Sequence, residues 1–435
     1  MRIAIIGSGI AGSSAAWALS EGNQVTVYEQ DTRLGGHSHT VDIDYDGQAV
    51  SVDTGFIVYN EHNYPELTAL FDFHAVETQK SDMSFSVSAD SGKFEWSGRG
   101  QTLLETLDGV FAQRRNLLRP SHFWMLREMS RFNRESVVDL KAGYLASRTL
   151  GEYLIHRRYS HRLTHDYLVP MGAAIWSTPV DRMLDFPAEN FVAFFDNHRL
   201  LHVERPMWRT VRGGSRNYVE KLSQSFRSRL RLGTGAANIV RTRNGVTVTD
   251  THGHTDTFDH VVIAAHSDQA LAMLGDASEN EREILGAIRY LPNAVYLHRD
   301  TRLMPKRKRA WSSWNFLRGQ GRGEAGNDVA VTYWMNELQH IDADKPLFVS
   351  LNPPVEPAPE LTFARFTCHH PQFDAGAFAA QGKLDTIQGA RRTWFCGAWT
   401  GYGFHEDGVR SGLDVAQALG ATIPWRESPL AQAAE

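Results

Sequence analysis

Cysteine is scarce in this 435-residue chain, which contains only Cys368 and Cys396. The two lie far apart and outside any C-x-x-C spacing, so the sequence predicts neither a disulfide framework nor a zinc knuckle. This usage fits a reducing compartment, and we expect a cytoplasmic protein. No metal site is expected either, because the adjacent His369 and His370 lack the i, i+4 helical spacing of a zinc-binding face.

Long apolar runs and an excess of positive charge are also missing. No hydrophobic stretch approaches the roughly 20 residues that span a bilayer, and glycines interrupt the apolar start MRIAIIGSGIAG too early for a signal peptide. The net charge of -5 argues against nucleic acid as a partner. Basic clusters at 114–119, 156–162 and 306–309 nevertheless predict peripheral contact with an acidic partner or with the inner face of a membrane.

The chain has instead the size and composition of a large globular protein. Hydrophobic residues make up 42% and charged residues 22% of its 435 residues. Single cores stop growing at roughly 250 to 300 residues, so two domains are expected.

The first thirty residues carry a dinucleotide-binding fingerprint. A strand-like run leads into GSGIAG, where Gly7, Gly9 and Gly12 fit G-x-G-x-x-G, and a helix-like segment and a second strand ending at Glu29 follow. Gly7 permits a tight turn, Gly9 lets the backbone approach a pyrophosphate, and Gly12 lets helix and strand pack closely. Glu29 is placed to bind both hydroxyls of an adenosine ribose. The helix N-terminus supplies N–H donors to the phosphates, so the sequence predicts a bound dinucleotide.

The segments that follow resemble the FAD-dependent amine oxidase superfamily, which also includes phytoene desaturases and protoporphyrinogen oxidases. QDTRLGGHSHT (30–40) is similar to the family's R-x-G-G-R loop, with His37 where arginine is usual, and VDTGF (52–56) to its D-x-G turn beside the flavin. The segment 211–222 resembles the turn and helix that begin the family's return to the cofactor domain, and 230–249 resembles the strand whose backbone meets the adenine, with Ala236 nearest the family's valine. The resemblance implies FAD as the cofactor and an α/β fold, in which a Rossmann-type FAD-binding domain carries an inserted α+β substrate domain.

The C-terminal segment GAWTGYGFHEDGVRSGLDVAQALG (397–420) resembles the family's last FAD element, a loop crossing the flavin and a helix pointing at its ring. Ala398 stands where the family usually has an acid, so a hydrogen bond to the cofactor is expected to be lost or moved. Tyr402 and His405 are the candidate catalytic residues. The predicted cofactor-binding residues are Gly7, Gly9, Ile10, Ala11, Gly12, Glu29, Gln30, Arg33, Gly35, Gly36, His37, Ser38, Thr54, Gly55, Ala236, Gly397, Ala398, Gly408 and Val409.

The same resemblance divides the chain. The predicted parts are an FAD-binding domain of residues 1–75, 205–275 and 390–422, a substrate-binding domain of 76–204 and 276–389, and a loosely ordered tail at 423–435. In the first insertion, alternation predicts a hairpin at 83–98, and the apolar residues of TLLETLDGVFA (102–112) share one helical face. The second insertion predicts successive strands: NAVYLHRD, AWSSWNFLR, VAVTYWMNEL, LFVSLNP and LTFARFTCHH.

The predicted chemistry follows from one missing residue. Amine oxidases carry a lysine on the first substrate-domain strand, and the matching strand here, PNAVYLHRD (292–300), has none. The insertions are rich in apolar and aromatic side chains, so we expect a desaturase, oxidase or double-bond isomerase acting on a small apolar molecule or a lipid acyl chain. Amine oxidation is one alternative.

A third reading follows from a narrower resemblance. PMGAAIWS (170–177) and FCGAWTGYGFHEDG resemble a bacterial branch of NAD/FAD-binding proteins often encoded near cyclopropane-fatty-acid synthases. That resemblance implies a flavoprotein that binds lipid for, or stabilises, a lipid methyltransferase partner.

Overall fold

The structure is a computed structural model that describes residues 1–100, 102–202, 204, 206–318 and 330–426. Its strands are β1 (Arg2–Ile6), β2 (Gln24–Tyr28), β3 (Thr40–Tyr45), β4 (Gln48–Asp53), β5 (Tyr59–Asn60), β6 (Thr78–Lys80), β7 (Phe85–Ala89), β8 (Phe94–Ser97), β9 (Trp208–Val211), β10 (Leu230–Arg231), β11 (Ala236–Thr242), β12 (Gly245–Asp250), β13 (Thr255–Phe258), β14 (His260–Ile263), β15 (Arg289–His298), β16 (Trp314–Arg318), β17 (Ala330–Trp334), β18 (Phe348–Leu351), β19 (Thr362–Gln372) and β20 (Thr393–Phe395). Its α-helices are α1 (Ile10–Ser20), α2 (Pro65–Phe73), α3 (Leu103–Val110), α4 (Pro120–Lys141), α5 (Leu150–His156), α6 (His161–Leu163), α7 (Val169–Trp176), α8 (Ala188–Asn197), α9 (Arg216–Ser223), α10 (Ser267–Met273), α11 (Glu279–Gly286), α12 (Met335–Gln339), α13 (Ala375–Gln381) and α14 (His405–Ala418).

A parallel sheet assembles strands from distant parts of the chain. Its order is β10-β2-β1-β14-β20, and every neighbouring pair is parallel. Ile3 and Ile5 of β1 pack with α1 and α14, whereas Ala4 and Ile6 pack with the antiparallel sheet β11-β12-β13. Burial on both faces explains the continuous apolar runs of β1 and β14. All five strands come from the segments predicted to build the FAD-binding domain.

A second, mixed sheet is built from the two insertions. Its order is β19-β15-β18-β17-β16-β7-β8, antiparallel except for the β16–β7 pair. The hairpin predicted at 83–98 is confirmed as β7 and β8, and the predicted strands of the second insertion are confirmed as β15 to β19. The segments of α4 to α8 lie between β8 and β9 in the chain, and α7 packs against β16 and β19.

Two predicted segments differ from the structure. VAVTYWMNEL leaves the sheet at Trp334 and continues as α12, because Met335 and Leu338, one helical turn apart, are both fully buried there. The tail predicted as loosely ordered from 423 is packed over its described part. Ile423 is buried, and the Trp425 ring stacks on Trp17 with centroids 5.6 Å apart. Residues 427–435 of that predicted tail lie outside the described residues.

Within the described ranges, no helix is both long enough and apolar enough to cross a bilayer.

Candidate active site

The turn between β1 and α1 is closed on one side and open on the other. Gly7 has a φ of +99°, and a Cβ on Gly12 would lie 2.0 Å from the Gly7 carbonyl oxygen, so both positions require glycine. Around Gly9, in contrast, no atom lies within 4 Å of where a Cβ would stand. Gly9 is also the N-cap of α1 and provides no side-chain cap. The start of α1 therefore borders open space, which is the arrangement that receives a phosphate.

Glu29 follows β2 directly beside this turn. Its carboxylate accepts hydrogen bonds from the Ser8 N–H at 2.8 Å, the Ser8 hydroxyl at 2.5 Å and the Asp31 N–H at 2.9 Å. An ionised carboxylate has about four acceptor positions, so capacity remains for a ribose hydroxyl. Gln30 faces the start of β11, since a Cβ on the glycine before Ala236 would lie 3.1 Å from the Gln30 Cβ.

The loop after Glu29 folds back over the β1–α1 turn. The Gly35 N–H donates to the Ser8 carbonyl at 3.2 Å, and a Cβ on Gly36 would lie 3.1 Å from the Gly9 Cα. Arg33 keeps 40% of its side chain exposed, and its contact with Asp31 is long, at 4.0 Å. The guanidinium is therefore available to an anion bound at the turn.

α14 packs onto the start of α1 through glycines. A Cβ on Gly412 would lie 2.2 Å from the Ala11 carbonyl oxygen, and one on Gly408 would lie 2.7 Å from the Ile10 Cγ2. Val409 is fully buried between these contacts. The N-terminal half of α14 therefore lies against the helix that borders the open space.

The loop between β20 and α14 is held from the helix side. The Gly397 N–H donates to the Ser411 hydroxyl at 3.0 Å, and the Ala398 carbonyl accepts two later loop N–H groups at 3.2 and 3.0 Å. The Asp407 carboxylate accepts the Tyr402 N–H and a second loop N–H, each at 3.0 Å. Burial raises the pKa of Asp407. A buried acid within α14 therefore orders the loop in which position 398 lacks one.

Tyr402 belongs to an aromatic wall shared with the inserted segments. Its ring centroid lies 5.6 Å from that of Phe194 on α8 and 5.8 Å from that of Phe378 on α13. Phe404 stacks on Phe194 at 5.1 Å. Burial raises the pKa of Tyr402, so its phenol stays protonated at neutral pH. We refer to Tyr402, Phe404, Phe194 and Phe378 as the aromatic wall.

His405, the first residue of α14, has its ring held by stacking and by contacts at Nε2. The ring stacks on Phe56 with centroids 3.8 Å apart, and Nε2 lies 3.1 Å from the Ser38 hydroxyl and 3.0 Å from the Tyr218 hydroxyl. Those two hydroxyls also hydrogen-bond to each other. Burial lowers the pKa of His405 to about 3, so the imidazole is neutral. Its catalytic role stays a prediction, and these contacts are those of a residue that positions the loop containing Ser38.

Three histidines from different elements converge near this loop. The His37 ring lies 6.3 Å from that of His266, which follows β14, and 5.8 Å from that of His370 on β19. His266 stacks on Tyr290 at 4.3 Å, and the His370 Nδ1 lies 2.9 Å from the Ser177 hydroxyl. We refer to His37, His266 and His370 as the histidine cluster. It joins the cofactor loop, the parallel sheet and the mixed sheet.

Burial keeps the histidine cluster neutral. It lowers the pKa of His266 to about 4 and that of His370 to about 3, and it lowers the pKa of His37 as well. The ionisable neighbours that add to these shifts are Arg33 and other histidines, all of which disfavour a further positive charge. His37 is exposed although protein atoms surround its ring, so part of its side chain remains open to a ligand.

The D-x-G turn fixes the backbone beneath this cluster. The Thr54 N–H donates to the His39 carbonyl at 2.8 Å, and a Cβ on Gly55 would lie 2.0 Å from the His37 carbonyl oxygen. These contacts bring the β1–α1 turn, the loop after Glu29, the D-x-G turn and the start of α14 together. Among the described residues, no group of histidine, cysteine or carboxylate side chains is arranged to hold a metal ion.

Sequence reasoning missed part of this site. His266 directly follows the apolar strand β14, and its position at the carboxyl end of a parallel strand was the available signal. His370 was considered only as a metal ligand. Tyr218 carried no signal, because its contact with His405 joins residues far apart in the chain.

Comparison with known proteins identifies the family. Residues 10–337, which are more than half of the chain, match the sequence model of the flavin containing amine oxidoreductases, so the protein belongs to this family. It is an FAD-dependent oxidoreductase, and the predicted fold class and cofactor are confirmed. A search of curated proteins found no match.

Solved structures with this fold have diverse activities. A putrescine oxidase double mutant has a TM-score of 0.70 at 16% identity, covering 96% of this chain and 99% of that one. A CLA-producing fatty acid isomerase from P. acnes has a TM-score of 0.67 at 16% identity, with coverages of 97% and 99%. A putative protoporphyrinogen oxidase from Exiguobacterium sp. 255-15 has a TM-score of 0.63 at 16% identity, with coverages of 96% and 98%. Identities this low establish a common fold.

The residues present fit FAD. The open space at Gly9 suits a pyrophosphate, the spare acceptor capacity of Glu29 suits a ribose, and α14 presents its N-terminus beside the loop that ends in His405. When bound, FAD supplies the acceptor for a hydride. The aromatic wall and the histidine cluster are the candidate surfaces for a substrate beside this cofactor.

Glu406 gives the fold a pH dependence. Its carboxylate accepts the N–H groups of Glu66 and Leu67, each at 3.0 Å, at the start of α2. Burial raises its pKa from 4.5 to about 7. Between these values the folded chain holds a proton on Glu406 that the unfolded chain has released, so the contribution of Glu406 to stability is expected to fall as the pH rises from about 4.5 to about 7, whereas the buried histidines His266, His370 and His405 contribute in the opposite direction. The largest effect is about 3 kcal/mol.

Urea denaturation at pH 5 and pH 7.5 tests this expectation. Glu406→Gln cannot titrate and is expected to gain more stability, or to lose less, than the wild type between pH 5 and pH 7.5, whereas Glu21→Gln, an exposed control, is expected to match the wild type. Equal slopes for wild type and Glu406→Gln would contradict it.

Proposed function

We propose that the protein dehydrogenates or isomerises an apolar substrate with a lipid-like acyl chain rather than an amine. The observation that carries the proposal is the character of the side chains around the site. The aromatic wall offers apolar surface, and the neutral histidine cluster has only cationic or histidine neighbours acting on its pKa values. At the histidine cluster a protonated amine would meet no carboxylate among the groups that act on these pKa values, whereas an acyl chain needs none.

The strand β15 supports the same choice. Amine oxidases place a lysine on the corresponding strand, and RYLPNAVYLH (289–298) contains none. The fold itself does not discriminate, since its solved examples include both a putrescine oxidase and a fatty acid isomerase. Substrate preference must therefore come from the side chains of the site.

Anaerobic titration of the FAD-loaded protein tests the proposal. Linoleate, a phospholipid extract and putrescine are added separately while the flavin absorbance is followed. A dehydrogenated acyl substrate is expected to bleach the flavin band, and an isomerised one is expected to give conjugated-diene absorbance without lasting bleaching. Putrescine is expected to do neither, because its protonated amines would meet only cationic or histidine neighbours at the histidine cluster.

A matched pair of variants locates the substrate. Phe378→Ala removes a ring from the aromatic wall and is expected to raise KM for the acyl substrate about tenfold, the loss of one large apolar contact. Phe363→Ala removes a partly buried ring that packs instead on Tyr45 at 5.3 Å, and is expected to leave KM unchanged. Reduction by putrescine, with no response to lipids, would refute the proposal. A flavin that nothing reduces, with no isomerised product, would favour the lipid-binding, partner-stabilising alternative.

We further propose that the protein works in the cytoplasm, at the inner face of the membrane. Its two cysteines, Cys368 and Cys396, are unpaired, which suits a reducing compartment. Partnership with a lipid methyltransferase stays a prediction, and co-purification would test it.

A further inference from the structure

A short turn in the first insertion buries a polar side chain and exposes apolar ones. In the segment RRNLLR (114–119), Asn116 is fully buried whereas Leu118 is 87% exposed. The Asn116 side chain donates to the Glu95 carbonyl at 3.2 Å, which anchors the polar side of the turn on β8. Folding usually buries leucine and exposes asparagine, so the stability of the fold does not explain this turn.

The exposed apolar residues of the protein concentrate around this turn. The helix α3 has its apolar residues on one face, yet Leu104 is 79% exposed. Of the 13 large exposed hydrophobic residues among those described, six fall within a single stretch of the chain: Leu104, Leu107, Leu117, Leu118, Phe123 and Trp124. Single exposed hydrophobics need no explanation, but a contiguous patch marks an interaction site.

Packing beneath the patch holds its parts together. The rings of Phe111 and Phe123 lie 5.5 Å apart, and the His122 Nε2 lies 3.2 Å from the Val110 carbonyl oxygen, which ties the start of α4 to the end of α3. The Arg127 guanidinium lies 5.5 Å from the centroid of the Trp124 ring. The patch is therefore a preformed surface on regular structure.

Two basic clusters that are distant in sequence meet at the edge of this patch. The Arg115 guanidinium donates to the Lys93 carbonyl at the tip of the β7–β8 hairpin. On the same tip, the Arg307 Nη1 donates to the Gly92 carbonyl at 2.9 Å. The basic segments 114–119 and 306–309 therefore flank one hairpin, and α3 contacts the segment Lys308–Ala310. We refer to the exposed residues of 104–127 with Lys93 and 306–309 as the docking surface.

We propose that the docking surface binds an anionic phospholipid bilayer. Charge complementarity supports this occupant, because arginines and lysines cluster here on a chain whose net charge is -5. An apolar patch containing tryptophan and ringed by basic side chains is the composition that lies at the headgroup boundary of a membrane. The inference gives the proposed location at the membrane a binding surface, and it uses none of the residues of the candidate active site, so it can fail without the proposed substrate class failing.

Vesicle flotation of the full-length holoprotein tests the proposal. The protein is expected to float with vesicles containing about 30% phosphatidylglycerol in phosphatidylcholine, to bind pure phosphatidylcholine at least tenfold more weakly, and to be released at about 0.5 M salt.

Two double variants separate the apolar and basic parts of the surface. Lys308→Ser/Arg309→Ser is expected to weaken binding about 25-fold, at about fivefold for each charge near the membrane surface. Leu117→Ser/Leu118→Ser is expected to weaken it about tenfold through lost apolar insertion. Val355→Ser and Arg243→Ser change one exposed apolar and one exposed basic residue elsewhere and are expected to bind like wild type. Bound FAD confirms that each variant is folded.

Two results would overturn the proposal. The first is a wild-type protein that floats with neither kind of vesicle, which would assign the docking surface to a protein partner instead. The second is that the control substitutions weaken vesicle binding as much as the substitutions in the docking surface do.

Discussion

Replacing Gly9 with aspartate is expected to give a folded protein that does not retain FAD. No atom lies within 4 Å of where a Cβ at position 9 would stand, and the φ of -62° and ψ of 177° there are open to any residue. Aspartate is moreover a preferred N-cap, so α1 is expected to keep its stability. The new carboxylate would occupy the space that the fit to FAD assigns to the pyrophosphate.

The magnitude follows from charge repulsion. Two like unit charges about 4 Å apart repel by about 4 kcal/mol at an effective dielectric constant of about 20, which lowers affinity about a thousandfold. Gly9→Ser is the matched control, because serine also caps a helix but carries no charge. It is expected to lose much less affinity than Gly9→Asp.

Flavin absorbance of the purified variants and FAD titration of the apoprotein measure both effects, and urea denaturation of the apoproteins checks the fold. FAD affinity of Gly9→Asp within tenfold of Gly9→Ser would contradict the placement of the pyrophosphate. Loss of the apoprotein fold in Gly9→Asp alone would contradict the open space at this turn.

The β1–α1–β2 unit could be predicted from sequence because its determinants are local. Gly7, Gly9 and Gly12 are each needed for a local backbone conformation or close contact, and Glu29 directly follows the next strand. The strands β15 to β19 were predictable for a similar reason, since short apolar runs separated by turn residues report their own structure.

The histidine cluster could not be predicted, because its members come from three segments that only the tertiary fold brings together. His37 was identified as a substitute for arginine, but its neighbours His266 and His370 are hundreds of residues away in the chain. Their neutrality depends on burial, which no local pattern encodes. His405 shows the same limit, since its place in the motif did not reveal its contacts with Ser38 and Tyr218, and its catalytic role stays a prediction.

Periodicity predicted the helix α3 correctly but not the surroundings of its apolar face. The helix has the apolar face that usually predicts burial, and the structure leaves Leu104 and Leu107 on the surface. A periodic pattern identifies an apolar face but not what covers it. In the docking surface the proposed bilayer would cover this face. A helix face that contacts a bilayer has the same apolar periodicity as one that contacts a protein core.

Replacing Asp53 with alanine is expected to lower the free energy of unfolding by about 3 kcal/mol or more, because it leaves several buried donors without an acceptor. The Asp53 carboxylate accepts the Thr40 hydroxyl at 2.6 Å, the Ser215 N–H at 2.9 Å and hydroxyl at 2.8 Å, and the Gln339 side-chain N–H at 2.9 Å. Those partners come from β3, the start of α9 and α12. One side chain therefore joins the cofactor loop, the returning chain and the inserted segments.

Asp42→Ala on the same β3–β4 hairpin is the matched control for Asp53→Ala. Its carboxylate pairs with Arg216 and is 60% exposed, and such surface pairs contribute about 1 kcal/mol or less. Urea denaturation of both variants at neutral pH measures the difference, and FAD retention reports whether the cofactor loop moves with the fold. Asp53→Asn keeps one acceptor oxygen and is expected to fall between wild type and Asp53→Ala. Burial raises the pKa of Asp53, and a protonated Asp53 offers fewer acceptor positions than an ionised one. Equal unfolding midpoints for Asp53→Ala and Asp42→Ala would therefore show that the buried side chain does not join these segments.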